Sequence, residues 1–189
     1  MGKSTPSPKR KVRRRGGARR TFILAVVGAA GLALGARALL IQGYRIPSRS
    51  MEDSLLVGDL LLVDKLSYGL RLPFTTWRLP PLRGPSPGDI VAFENPTDPT
   101  RVWVKRCIAV ADQTVEVRNK AVYVDGERLP DPPFSKYVDA RILPARDPRD
   151  NLSPRTISAG SIFVMGDNRD NSRDSRHWGD LSVDRLLGR

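Results

Sequence analysis

One cysteine, Cys107, stands in 189 residues, so an intrachain disulfide and a cysteine-based metal site are both excluded. One histidine, His177, is present, and any serine–histidine–acid triad would have to use it. No cluster of metal-ligand residue types is visible, so no cofactor is expected and chelators should be harmless. No long segment after residue 45 carries a 3.6-residue apolar period, which argues against a helical body. No internal repeat is present. Residues 1–20 lack acid altogether while holding nine Lys and Arg.

That last absence explains the charge. The chain carries a net +12, and the nine positives of the arm leave the remaining 169 residues at +3. The basicity is a short arm rather than a face of the folded body. Such an arm is open to two readings, retention on the cytoplasmic side against anionic lipid or a nucleic-acid arm. The apolar segment that follows favours the membrane, and no nucleic-acid partner is expected. A cytoplasmic self-cleaving repressor would need a DNA-binding domain, and residues 9–20 are too short for a helix-turn-helix.

Thr21 to Gln42 reads TFILAVVGAAGLALGARALLIQ. As a helix, these 22 residues would reach about 33 Å, close to the hydrocarbon thickness of a bilayer. Arg37 interrupts the run near its far end, where a long cationic side chain can snorkel to the interface. Flanking positive charge predicts the N-terminus inside and everything after Gln42 outside. The alternative is a cleavable secretory signal ending at Ala36-Arg37-Ala38. Arginine within the small-residue site, and the return of apolar residues from Ala38 to Ile41, favour an uncleaved single-pass anchor in the plasma (inner) membrane. Either reading exports the rest of the chain. The expected organisation is a basic cytoplasmic arm over 1–20, a transmembrane helix over 21–42 and an extracytoplasmic catalytic domain over 43–189.

The body reads as mainly β, an antiparallel sheet domain behind one N-terminal helix. Strands are expected over 59–66, 89–94, 102–110, 114–118, 121–125 and 161–165, where apolar and β-branched residues run between turn signals. Asn119-Lys120 reads as a hairpin turn and Asp125-Gly126 as the next turn. Residues 72–88 hold five prolines and read as a loop. Residues 129–154, rich in Pro, Asp and Arg, read as a loop insertion in the sheet. Leu60 to Val63, with Phe74 and Trp77, are candidates to rest on lipid, set against the commoner core role of such residues.

Ser50 lies eight residues beyond the apolar segment, in Ile46-Pro47-Ser48-Arg49-Ser50-Met51. A hydroxyl there would face bonds emerging from the membrane, but it needs a base. His177 is one candidate, in a polar run beside Trp178-Gly179. Lysine is the other base open to serine, provided burial lowers its pKa. Lys105 has the apolar setting, within Val102-Trp103-Val104 and Cys107-Ile108, and strand alternation sends Trp103, Lys105 and Cys107 to one face.

Four ordered segments now matter together: PSRSM (47–51), GDIVAF (88–93), Lys105-Arg106 and GDNRDNSRDSRHWG (166–179). They resemble the successive boxes of type I signal peptidases, membrane-anchored serine proteases with a Ser/Lys dyad that remove signal peptides from exported proteins. The resemblance implies Ser50 as nucleophile, directly before Met51, and Lys105 as general base, followed by Arg106. It implies an oxyanion hole from the Ser50 backbone N–H and the Ser48 hydroxyl. Ser172 would bond and orient the lysine amine, Asp174 and Arg176 would form a supporting ion pair, and Asp167 and Arg169 would lie in the same turn. The implied partners are membrane lipid and exported preproteins whose signal peptides carry an Ala-x-Ala pattern before the cut. Two departures stand out. Asp53 occupies the place of a proline in the family's Met-x-Pro-Thr-Leu, and Ala109 to Gln113 lacks the family's Gly-Leu-Pro-Gly-Asp punctuation. They motivate a second reading, a catalytically dead binding relative; a specialised processing protease using the same chemistry is a third.

Overall fold

The computed structural model describes residues 16–71, 75, 77–144 and 146–189. Two compact units result, residues 1–38 and 39–189.

The first unit holds most of α1 (Gly16–Leu40). Phe22, Leu24 and Val27 on this helix are 63–70% exposed, so apolar surface on it is bare. Among the described residues no helix is long and apolar enough to cross a membrane. The side chains at 32–34, 36, 38 and 39 of the expected span lie outside the described residues, as do residues 1–15 of the basic arm. The helix stops at Leu40 rather than Gln42: Ile41 and Gln42 instead pair with Asp64 and Val63 in a strand. Cross-strand pairing outweighs helix propagation there, and Ile41 is β-branched.

The second unit is built from antiparallel strands. β1 (Ile41–Arg45) and β2 (Leu60–Asp64) form a hairpin whose long loop, 46–59, carries Ser50. A five-stranded sheet runs in the order β10 (Leu181–Ser182), β9 (Ser161–Met165), β4 (Asp98–Val110), β3 (Ile90–Asn95), β11 (Leu186–Gly188). A four-stranded sheet runs β7 (Glu127–Arg128), β6 (Ala121–Val124), β5 (Thr114–Arg118), β8 (Leu152–Thr156). Past β11 the backbone of Arg189 exchanges two hydrogen bonds with Asp64, at 2.8 and 3.0 Å, which ties the first hairpin to the larger sheet. Asn119-Lys120 and Asp125-Gly126 both take positive φ (47° and 73°, 54° and 84°), the twist that short antiparallel hairpins require.

The core has two faces, and a bulge in β4 joins them. Cys107 pairs with Val164, but Ala109 pairs with Phe163, so Ile108 is the extra residue. Before it, Cys107 packs with Val91, Phe93 and Val164; after it, Ile108 and Ala109 pack with Phe163 of β9 and with Val115 and Val117 on the smaller sheet. One strand thereby feeds both cores.

The described residues of 129–151 contain no strand, and β8 begins at Leu152, so the expected insertion ends before 154. Ion pairs hold it instead. Arg149 meets Asp139 at 3.1 Å and Asp150 at 2.8 Å, and Lys120 meets Asp150 at 3.6 Å and donates to the Asp139 carbonyl at 2.9 Å. Of the residues considered for lipid contact, Leu60, Leu62 and Trp77 are 64–75% exposed, which rejects a core role for them. Val63 is fully buried, as alternation demands, and Phe74 lies outside the described residues.

Candidate active site

After β1 the chain turns through Pro47 into a short 3-10 turn, Arg49–Met51. Ile46 (4% exposed) and Met51 (1%) are the apolar pegs of this loop. Backbone bonds from Ile46 to Asp59 (3.0 Å) and from Gly58 to Ile46 (2.9 Å) close it. Ser50, held between the pegs, is buried.

Lys105 sits mid-strand in β4, opposite Val91 of β3, and is only 3% exposed. Its Nζ and the Ser50 Oγ share a hydrogen bond across 55 residues of sequence. The Trp103 ring lies beside the amine, 5.7 Å from its centroid. Burial, the largest influence, pushes the Lys105 pKa down to about 8; Asp174 and Asp167 oppose this, and Arg176 adds to it. Ser48 Oγ is 3.2 Å from Ser50 Oγ.

The turn from Gly166 to Trp178 braces this pair. The Asn168 N–H donates to the Ser50 carbonyl (3.0 Å), and its side-chain amide donates to the Arg49 carbonyl (3.2 Å). Gly166 is required by space: a Cβ there would lie 2.5 Å from the Ser50 oxygen and closer still to Ser172 Oγ. Asp174 is wholly buried; it accepts from the Gly166 N–H (3.0 Å) and from both prongs of Arg176 (2.9 and 2.8 Å). The Arg176 fork also reaches the carbonyls of Arg149 and Arg169. The charge and donors of Arg176 hold the Asp174 carboxyl below its ordinary pKa, against the upward push of burial, which is the largest single influence. Asp167 accepts a two-pronged bond from Arg106 (2.8 and 2.7 Å) and a further one from Ser54. Arg169 is buried in the same turn, with Met165 Sδ at 3.8 Å and Asp131 at 3.9 Å.

One expected contact is absent. Ser172 Oγ makes no hydrogen bond of normal geometry, to Lys105 or to any other described residue. It lies near enough to Asp174 to help lower that carboxyl's pKa. Its buried place against Gly166 packs the turn, and the lysine amine is oriented by Ser50 and Trp103 instead. His177 is exposed on α2 (Ser175–Trp178) and does not line the cleft, so it is not the partner of Ser50.

Both departures from the family pattern have a local account. Asp53 takes φ 76°, which proline cannot adopt and aspartate tolerates. Asp112 takes φ 69° where a glycine was expected, and the Gln113 side chain closes the turn by accepting from the Val110 N–H at 3.0 Å. Sequence reasoning missed Lys136. Its amine meets Glu52 (3.3 Å) and Asp53 (3.2 Å), and its backbone bonds to Asp167 and Arg169 at 2.9 Å each. No local signal marks it, because every partner is distant in sequence. Asn168, by contrast, stood inside the most specific motif.

A cleft of about 750 Å³ opens beside the pair, lined by residues 44–51 and 100–105 with Asn171 and Arg173. A serine hydroxyl bonded to a buried amine beside a cleft is an arrangement open to nucleophilic chemistry. The family model described as signal peptidase, peptidase S26, matches residues 19–189, and the chain belongs to this family. It is 36% identical over 172 residues to signal peptidase I of Pseudomonas aeruginosa, covering 80% of this chain and 61% of that protein. It is 34% identical over 176 residues to the probable signal peptidase I-2 of a Synechocystis strain, covering 90% and 68%. A crystal structure of a signal peptidase I from Enterococcus faecalis aligns with a TM-score of 0.41 at 28% identity, covering 56% of this chain and 95% of that one. The chain spans about 61% of the length of the first curated relatives it matches.

Proposed function

We propose that this chain is a membrane-anchored endopeptidase that removes N-terminal signal peptides from exported preproteins, with Ser50 as nucleophile and Lys105 as base. The observation that carries this is the hydrogen bond between Ser50 Oγ and an amine whose pKa burial has lowered to about 8. In its neutral form Lys105 takes the Ser50 proton as Oγ bonds to the scissile carbonyl carbon. The Ser50 N–H and Ser48 hydroxyl donate to the oxyanion, a contribution of about 3–4 kcal/mol for a donor preset in this way. The carbon–nitrogen bond then breaks, and the lysine proton passes to the leaving amine. Water next attacks the acyl-enzyme ester while Lys105 accepts its proton, and Ser50 Oγ regains a proton as the ester opens.

The substrate is bound as an added strand. β3 occupies one edge of β4, but β9 pairs with the other edge only from Arg106 to Val110. The stretch 100–104 lines the cleft, where an extended peptide can take up the open backbone groups. The Ala-x-Ala preference follows from small side chains meeting a shallow floor. The arm over 1–20 stays cytoplasmic, the segment over 21–42 anchors the chain, and the body acts outside.

Ser50→Ala and Lys105→Ala are each expected to abolish cleavage of a preprotein in detergent, measured as a time course of the shortened product. Turnover retained by either variant overturns the mechanism.

A further inference from the structure

The cleft is charged more one-sidedly than the body around it. Residues 43–189 hold 22 Lys and Arg against 20 Asp and Glu, close to balance. The cleft lining nevertheless includes Arg45, Arg49, Arg101, Lys105 and Arg173 and no acidic residue. Lys105 is the buried base, and Arg101 is paired with Asp98 at 3.0 Å. Arg45, Arg49 and Arg173 are exposed, and among the described residues none of them has an acidic partner within 4.0 Å. Elsewhere the surface arginines mostly sit in pairs, such as Arg71 with Glu94, Arg118 with Glu116 and Arg141 with Asp139. Three unpaired guanidinium groups on one cleft leave a positive potential that an acidic group on a bound chain can answer.

Position assigns two of them. Arg49 directly precedes Ser50, and Arg173 lies between Ser172 and Asp174 in the turn that braces it. Ile46, Val102 and Val104 are apolar members of the cleft lining, beside the β4 edge where the proposed added strand lies. We infer that Arg49 and Arg173 form a subsite for an acidic side chain in the first residues after the scissile bond, so that this enzyme prefers substrates whose released chain begins with Asp or Glu. The inference rests on the proposed peptidase function and adds the chemistry of the leaving side. Guanidinium groups suit it because their fork matches a carboxylate.

The test uses the full chain in zwitterionic detergent and three peptides. They share one signal region and differ only in aspartate, serine or lysine at the first two positions after the cut. At low salt, kcat/KM is expected to fall from the aspartate to the serine to the lysine peptide, by about five-fold per step, as suits partly solvated ion pairs. The spread should shrink as salt is raised. In R49E/R173E the aspartate-to-lysine ratio, taken within one protein preparation, should invert; Arg173→Gln alone should narrow it. Equal kcat/KM for the three peptides, or an unchanged ratio in R49E/R173E, overturns the inference. A defect of R49E/R173E confined to vesicles containing phosphatidylglycerol, with the peptide ratio untouched, assigns the arginines to lipid and equally overturns it. Turnover of the serine peptide reads the peptidase function separately. Anisotropy of the labelled peptides reads the same order of affinity even where turnover fails.

Discussion

At the scale of single residues the decisive quantity is the proton on Lys105. A solvated lysine titrates near 10.5, while this one is lowered to about 8. Burial does this by penalising the ammonium, and the carboxylates of Asp174 and Asp167 limit the fall. At pH 7 about a tenth of the molecules then hold the neutral amine. With Lys105 as the proposed base the neutral form is the active one, so kcat/KM should rise close to ten-fold per pH unit below about 8 and level off above it. A pH–rate profile of peptide cleavage checks this. A plateau already reached near pH 6.5, the ordinary range of a histidine, would instead implicate His177. Ser50 was visible in its motif. The burial that makes Lys105 a base was suggested by its apolar neighbours but depends on strands that flank it in space.

At the scale of elements, the site is a loop pressed onto a turn. Residues 46–59 carry the nucleophile and the turn from Gly166 braces it through Asn168. The insertion then lies across both: Lys136 bonds to the turn through its backbone and to Glu52 and Asp53 through its amine. Lys136 is a positioning residue, because it meets the nucleophile loop without touching Ser50. Lys136→Met should lower kcat by about five-fold while leaving KM nearly unchanged, since such partly solvated pairs are individually weak. Lys136→Arg should restore most of the rate. Steady-state kinetics of the two variants decides it; equal kcat in Lys136→Met and the parent removes the role. Here the sequence spoke only in part. The Pro- and Asp-rich stretch over 129–154 announced a loop, but its docking on the catalytic turn rests on pairings that no local pattern encodes.

At the scale of the whole molecule, the chain divides into a unit that holds most of α1 and a β unit with its own two-faced core. A fragment of residues 39–189 retains every group of the dyad, the brace and the cleft. It should unfold cooperatively and cleave a soluble peptide at a rate within a few-fold of the full chain. If residues 21–42 anchor the chain as proposed, its cleavage of a preprotein embedded in vesicles should fall much further, because the enzyme is no longer concentrated at the bilayer. Comparing the two substrates in parallel measures the anchor's part. Equal losses on both would show that the first unit supports the fold instead.

Local chemistry fixed the alternating strands, the left-handed turns at Asn119-Lys120 and Asp125-Gly126 and the identity of Ser50 and Lys105 as candidates, since each depends on neighbours along the chain. Tertiary structure alone decided the rest. It chose Ser50 and Trp103 rather than Ser172 as the groups around the amine, ended α1 at Leu40 and brought Lys136 to the loop that carries Ser50. Those outcomes turn on which distant segments exclude water together, and solvent exclusion is a property of the packed molecule.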